Sequence, residues 1–280
     1  MEPIRIGFVG QGYIGKNYAD DFEERGFVVV RYALEEPYVA NRDGIALCDI
    51  VFVAVPTPTT SAGSDSSIVD QALNLVGEGK VAVIKSTVLP GTTRDLAEKH
   101  STKFILHSPE FLSKNTAAYD ARHPKRNIIG IPFGDERYEA HARAVHAILP
   151  PAPFATTVSS NESEFLKYVN NTFFYAKIVY MNALHDIAQR LGCSWDNMRS
   201  AIAAEPWIGD MHIDPVHKTG RGAGGVCFIK DYAAFASHAR SILSDDPEAL
   251  ALLDAIERHN IALLKRTGKD AAVLAEVYGA

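Results

Sequence analysis

Two periods alternate along the first half of the chain. Short apolar runs read as β-strands: "IRIGFVG" (residues 4–10), "FVVVRYA" (27–33), "CDIVFVAVPTP" (48–58), "KVAVIKSTV" (80–88), "KFILHSPEF" (103–111) and "RNIIGIP" (126–132). Between them the spacing widens. "QGYIGKNYADDFEERG" (11–26) and "SIVDQALNLVGEG" (67–79) carry apolar residues at helical intervals, and Gly26 is placed to cap the first of these helices. Strands alternating with helices predict an α/β domain on a doubly wound, mainly parallel sheet.

The alternation ends at "PPAPF" (150–154), a cluster of breakers and the best boundary signal in the chain. A first domain is expected over residues 1–155 and a helical one over 156–280. Residues 161–191 hold no proline or glycine, and apolar side chains recur at Phe165, Leu166, Val169, Phe173, Ile178, Met181, Leu184, Ile187 and Leu191. This predicts one long central helix, ~45 Å over about 30 residues. Ser160 or Asn161 is expected to cap it, with Glu162 and Glu164 favouring the positive end of its dipole. Its apolar residues occupy more than one face, Phe165, Val169 and Phe173 along one side and Phe174, Ile178 and Met181 toward others. A small domain alone would not cover them, so a homodimer is expected. Three later segments, "WDNMRSAIAA", "YAAFASHARSIL" and "PEALALLDAIERHNIALLKRTG", are also helical in pattern, and a loop over 205–231 interrupts them.

Composition acts mainly by exclusion. The 280 residues suffice for one or two domains, and 47% hydrophobic with 22% charged residues is typical of soluble globular proteins. A net charge of −6 gives no general affinity for nucleic acid or anionic membrane. No apolar run approaches the ~20 residues of a membrane span, and "MEPIRIGFVG" lacks the layout of a secretory signal. Cys48, Cys193 and Cys227 are too few and too scattered for a disulfide framework or a zinc cluster. A cytoplasmic protein with reduced thiols and no metal is expected. An anionic small-molecule substrate would need a local basic pocket.

Candidate chemistry gathers at three places. "GQGYIG" (10–15) fits G-x-G-x-x-G between a strand and a helix, so Gly10, Gly12 and Gly15, with Tyr13 and Ile14, are expected to cradle the pyrophosphate of a dinucleotide. Ala33 occupies the position of the usual ribose-binding acid, but Glu35 and Glu36 follow it and would repel a 2′-phosphate, which favours NAD over NADP. Lys167 and Asn171 lie four apart on the long helix, hence on one face. They read either as a surface lysine and amide or as an oxyanion-binding pair. Cys227 follows Gly224 and Gly225 and precedes Lys230. It reads either as a small buried hydrophobe beside Phe228 or as a nucleophile approached across glycine backbone. Cys48, Cys193 and Trp195 read as packing residues.

In order, "GFVGQGYIG", "VAVPTP", "IKSTVLPGTT", "SPEFL", "FLKYVNNTFFYAKI" and "GAGGVCFIKD" span nearly the whole chain. With these motifs it resembles the UDP-glucose/GDP-mannose 6-dehydrogenase family. The resemblance implies a Rossmann-like NAD domain followed by a helical dimerisation and catalytic domain. It implies two successive oxidations of a primary alcohol to a carboxylate, through a thiohemiacetal and a thioester on Cys227. Lys167 and Asn171 would stabilise the oxyanions. Asp231 would organise Lys167 and the water, and Thr87 and Glu110 would hold water and move protons. Thr57, Glu35 and Lys230 would line the cofactor pocket, and Phe111, Leu112, Trp207, Arg221, Gly224 and Gly225 would contact a phosphorylated substrate.

The sequence also departs from the family pattern. Members carry a third, nucleotide-gripping domain, and "RTGKDAAVLAEVYGA" ends about where that domain would start. Trp207 stands where the family has an arginine that reaches substrate, and Ser113 and Lys114 replace an acidic position. Arg221 and Ala223 occupy places where aromatic residues are expected. These changes predict weak turnover of UDP-glucose and a new anion or stacking site built from Trp207, Lys114, Lys218 and Arg221. Two other functions remain in view. One is a two-electron β-hydroxyacid dehydrogenase, which shares the helix lysine and asparagine but needs no cysteine. The other is a non-catalytic nucleotide-binding protein, which needs none of Cys227, Lys167, Asn171 and Asp231.

Overall fold

The computed structural model describes residues 3–61 and 63–279 and divides into two compact units, Met1–Pro58 with Asp65–Lys167, and Thr59–Ser64 with Tyr168–Ala280. The first is the expected α/β unit. It begins β1 (Arg5–Val9), α1 (Tyr13–Glu24), β2 (Val28–Tyr32), a 3₁₀ segment (Val39–Leu47) and β3 (Ile50–Val53). A short hairpin, β4 (Thr59–Thr60) and β5 (Gly63–Ser64), leaves this unit and belongs to the other. The first unit resumes with α2 (Ser67–Leu73), β6 (Val81–Ile84), α3 (Thr92–Lys99), β7 (Phe104–His107), α4 (Ala117–Arg122), β8 (Arg126–Ile131), α5 (Glu136–Ile148) and β9 (Phe154–Ser159).

Its seven strands lie in the order β2-β1-β3-β6-β7-β8-β9. All neighbours are parallel except β7 and β8, which meet at His107 and Gly130. The breaker cluster at 150–154 therefore leads into one more strand of the sheet, and the unit runs on through the first turns of the next helix to Lys167. β2 lies on one side of β1 and β3 on the other. This reversal opens a crevice beyond the carboxyl ends of β1 and β3, where ligands of doubly wound sheets bind. The central strands β1, β3, β6 and β7 are largely buried on both faces, and the edge strands β2 and β9 are partly exposed. Phe8, Phe22 and Phe52 form the centre of one layer, with Phe8 stacked on Phe52 at 5.0 Å, while Val51, Val53, Leu73 and Ile105 fill the other.

The long helix is α6 (Ser160–Arg190). Its cap is Ser159, one residue before the expected ones. Ser159 N donates to Glu162 Oε2 at 2.8 Å, and Glu162 N donates back to Ser159 Oγ at 3.3 Å. This is a capping box, and it forms here because β9 ends at Ser159. Glu164 plays no part in it and points to another helix.

The second unit adds α7 (Trp195–Ala204), a hairpin of β10 (Val216–His217) and β11 (Gly220–Arg221), α8 (Val226–Ile242), α9 (Pro247–Thr267) and α10 (Ala271–Tyr278). Tyr175 stacks on Tyr232 at 4.0 Å at the centre of one cluster, and Ile229, Leu264, Leu274 and Val277 form another. The loop expected over 205–231 ends sooner. Gly225, at φ +83°, turns the chain into α8, so Cys227, Lys230 and Asp231 lie on a helix. No helix among the described residues is long and apolar enough to cross a membrane.

Candidate active site

The glycine turn after β1 fits a dinucleotide, and its three glycines have three different reasons. Gly10, at φ +94°, donates its N–H to Tyr32 O, and a Cβ there would overlap the Ala54 carbonyl at the end of β3. A Cβ on Gly15 would overlap Gly10 O, so helix and turn touch through backbone. Gly12 is exposed, begins α1 without a side-chain cap, and a Cβ there would meet nothing within 4 Å. The first turn of α1 holds no acidic residue. An uncapped helix start open to solvent, at the strand-order reversal, is what a pyrophosphate needs. Tyr13 and Ile14 lie in that turn, half-buried. Thr57 is buried just past β3, and Glu35 is exposed just past β2.

Glu110 and Lys167 come together in the same unit. Lys167 Nζ donates to Glu110 Oε1 and to the Glu110 carbonyl, both at 2.8 Å, and Glu110 Oε2 accepts from Leu112 N at 2.8 Å. Both residues are buried. A buried ion pair with its remaining lone pairs bonded holds the ammonium at one place. Phe111 turns its ring toward Arg126, 3.7 Å away, with Lys167 Nζ at 5.8 Å. Thr87 is half-buried past the end of β6.

Three neighbours went unnoticed in the spacing. Lys85, at the start of "KSTV", is buried against Tyr18 with Nζ 4.2 Å from the ring centre, and it donates to Ser108 O and Oγ. Burial lowers its pKa to about 8, and Glu110 opposes that shift. His107 is buried too, hydrogen-bonded through Nδ1 to Ser163 Oγ at 2.8 Å. Burial and then Lys85 push its pKa down to about 3. Glu164 accepts from Gly91 N and Thr93 N, both at 2.7 Å, and so closes the start of α3 from 71 residues away. Burial raises its pKa to about 7 against those bonds.

In the second unit, Asn171 Nδ2 donates to Asp231 Oδ2 at 2.6 Å, and Lys230 Nζ donates to Asp231 Oδ1 at 2.6 Å. Asp231 is buried and doubly engaged. Lys230, expected at the cofactor, is here the partner of Asp231. Cys227 is exposed in the first turn of α8, one helical turn before Asp231, which removes the buried-hydrophobe reading. Cys48 is buried, as its apolar run indicated, and burial pushes its thiol up to about 11, while Cys193 is exposed.

The expected substrate residues divide. Gly224 and Gly225 adjoin Cys227. Arg221 is occupied elsewhere. Its Nε donates to Asn182 Oδ1 at 2.8 Å, its Nη2 to Asn182 O at 3.0 Å, and its Nη1 lies 2.7 Å from Asp186. Asn182 and Asp186 are one turn apart on α6, so they present two acceptors to one guanidinium. Arg221 thus ties β11 to α6 in place of the expected phosphate contact. Trp207 is 95% exposed. Among the described residues no group of three His, Cys, Asp or Glu side chains is arranged to hold a metal ion.

Residues 38–149 match the NAD-binding domain of the UDP-glucose/GDP-mannose dehydrogenase family, and residues 161–261 match its central domain. A UDP-glucose 6-dehydrogenase of Haloferax volcanii is 29% identical over 288 residues, 85% of this chain and 66% of that protein. One from Bacillus subtilis is 31% identical over 215 residues, 72% of this chain and 47% of its own length. The chain thus spans between about half and two thirds of these relatives. Among solved structures, a UDP-glucose dehydrogenase from the hyperthermophilic archaeon Pyrobaculum islandicum superimposes with a TM-score of 0.78 at 27% identity, over 95% of this chain and 72% of that one. With both domains matched in order, and with an open dinucleotide turn in the first unit, the chain belongs to the UDP-glucose/GDP-mannose dehydrogenase family.

Proposed function

We propose that this chain oxidises the primary alcohol of a nucleotide sugar or sugar phosphate to a carboxylate, in two NAD-dependent steps, through a covalent intermediate on Cys227. The observation that carries the reading is the placing of Cys227. The thiol is exposed where α8 begins, and the same helix carries Asp231 one turn on, bonded to Asn171. A helix start favours negative charge, hence the thiolate that attacks carbonyl carbon. Gly10, Gly12 and Gly15 hold the pyrophosphate of NAD, which when bound accepts the hydride of each oxidation.

In the first oxidation the alcohol loses a hydride and a proton and becomes an aldehyde. Cys227 Sγ adds to the aldehyde carbon, a C–S bond forms, and the oxygen takes a proton to give the thiohemiacetal. Loss of a second hydride and proton leaves a thioester. Water adds to its carbon, the C–S bond breaks, the thiolate departs, and the carboxylate is released. Lys167, oriented by Glu110, and Asn171, oriented by Asp231, donate hydrogen bonds to the oxygen as it gains charge. Thr87 and Glu110 hold the water and relay protons. The lysine and asparagine would also suit a two-electron dehydrogenase, but an exposed thiol at the start of α8 has no task there.

The second unit supports a homodimer, and the proposed setting is the cytoplasm, where thiols stay reduced. Val169, Phe173, Tyr180 and Ile187 on α6, and Leu191 just past its end, are all exposed, and spacings of four and seven residues place them on one face. Light scattering at micromolar concentration is expected to give twice the chain mass, and a monomer contradicts this part of the proposal.

The central test uses Cys227→Ser with a panel of UDP-glucose, UDP-N-acetyl sugars, GDP-mannose and nucleoside monophosphates. The unaltered protein is expected to form two NADH per carboxylate with one of them. The variant is expected to bind that substrate yet lose steady turnover. Normal carboxylate production by the variant would remove Cys227 from the mechanism.

A further inference from the structure

The loop that delivers Cys227 is gripped from one side by the turn between α9 and α10. α9 ends at Gly268, φ +67°, and Lys269 N closes the turn on Leu264 O at 3.0 Å. Lys269 is buried, and its Nζ donates to Gly222 O at 2.9 Å and Gly220 O at 3.3 Å. Asp270, at φ +53°, takes the Gly225 N–H on Oδ2 at 2.7 Å. A Cβ on Gly224 would overlap both Asp270 Oδ2 and Lys269 Cε. Asn260, on α9, bonds both the N–H and the carbonyl of Ala223, at 2.7 and 2.9 Å. The turn thus fixes the loop peptides with a cation on carbonyls and an anion on an amide.

We propose that Lys269 and Asp270 are positioning residues for Cys227, and that the Asp270 carboxylate at the start of α8 restrains the ionisation of that thiol. The inference rests on the reading of Cys227 as nucleophile, but its test does not require turnover. α8 offers its positive end to Cys227, and Asp270 places a negative charge on the N–H two residues before it. Other charged groups lie on α8 and on the elements packed against it. Lys230 and Asp231 are paired on α8 itself, and Lys218 is close enough to Lys269 to act on it. Glu257 of α9 pairs with Arg240 at the far end of α8, and α10 adds Glu276, which is exposed. The described residues of the β4–β5 hairpin packed on α8 are threonine, serine and glycine. Lys269 holds loop carbonyls further back, at Gly220 and Gly222, and Asp270 accepts from the Gly225 amide at the helix start itself.

The experiment is alkylation of the whole chain with iodoacetamide from pH 6 to 10, read at Cys227 by peptide mass spectrometry, with exposed Cys193 as internal reference. Asparagine tolerates the left-handed conformation of residue 270 and keeps an acceptor for Gly225. Asp270→Asn is therefore expected to fold, to lower the midpoint of the Cys227 profile by about half a pH unit, and to leave Cys193 unmoved. Asp270→Gly, also unstrained there, is expected to give the same shift together with faster exchange of the Gly225 amide. A Cys227 midpoint unchanged in both variants overturns the proposal, whatever NADH assays show. A shifted midpoint in a protein that oxidises no alcohol sustains it and defeats the proposed function instead.

Discussion

The starts of α1 and α8 are built alike and used in opposite ways. Each helix begins at a glycine that offers no side-chain cap, after a turn containing a glycine of positive φ. At α1 nothing stands over Gly12, and the first turn has no acid. At α8 a carboxylate from 45 residues away occupies the Gly225 N–H. The first arrangement leaves the helix dipole for an anion that arrives from outside. The second meets the dipole with an internal anion, and the exposed side chains of Val226 and Cys227 follow it in the first turn. The start of α3 follows the second pattern, with Glu164 as its anion. A glycine before a helix thus does not by itself mark a phosphate site. The absence of a carboxylate over it is the deciding feature.

The largest effect that separates these roles is expected at Gly15. A Cβ there overlaps Gly10 O, backbone that cannot swing aside, so Gly15→Val should cost about 3 kcal/mol or more in urea unfolding. A loss below about 0.5 kcal/mol would show that α1 is free to shift away from the turn, and would weaken the account of the open start.

Gly12→Asp converts the α1 start into a copy of the α8 start. Space for the side chain is present, and an aspartate in place of a glycine at an N-cap stabilises a helix by roughly a few tenths of a kcal/mol. The same carboxylate repels and displaces the pyrophosphate, which loses charge-assisted bonds of roughly 1.5–3 kcal/mol. Calorimetry is expected to show a raised Tm, and fluorescence titration an NADH affinity weaker by roughly a hundredfold. Undiminished affinity would place the cofactor elsewhere.

These differences also mark how far the chain could be read before its fold was known. Six of the seven sheet strands and "GQGYIG" are legible because each depends on neighbours within a few positions: alternation, a turn, a helix start; β9 is not, because it follows directly on the breaker cluster at 150–154. In the sequence, Glu110 and Asp231 are singled out only through a family pattern, and Lys167 and Asn171 only as two residues on one helix face. Their spacing says nothing of a bond from Lys167 to Glu110 across 57 residues, or from Asn171 to Asp231 across 60. The ties of Arg221 carry no local signal, because the acceptors that engage it, Asn182 and Asp186, sit on a helix about 40 positions earlier. Cys227 reads as a loop residue because glycines crowd its N-terminal side, yet nothing after Gly225 opposes a helix. Lys85, Glu164, Lys269 and Asp270 carry no local signal. Each is an ordinary charged residue whose role comes from where the fold buries it.

The smallest of these effects is also the most diagnostic, because it isolates one carboxylate. Glu164 has a folded pKa near 7 against an ordinary 4.5, since burial outweighs the two amide bonds it accepts. An acid raised on folding binds more protons in the native state than in the unfolded one. Its contribution to stability is therefore fully present below pH 4.5 and falls as pH rises to about 7. Full linkage over that interval would be about 3 kcal/mol, and relaxation around the group leaves about 1–3. Other groups titrate in the same range, so the comparison is between Glu164→Gln and the unaltered protein at each pH. His107 and the surface carboxylates then cancel. Glutamine keeps one acceptor for Gly91 or Thr93 and cannot ionise. The stability of the variant relative to the parent should thus improve by about 1–3 kcal/mol between pH 4.5 and 7.5, and then stay level. A difference that does not change with pH would mean that Glu164 ionises in the fold as easily as in water. The start of α3 would then resemble the solvent-open start of α1, and the distinction between closed and open helix starts would fail at this position.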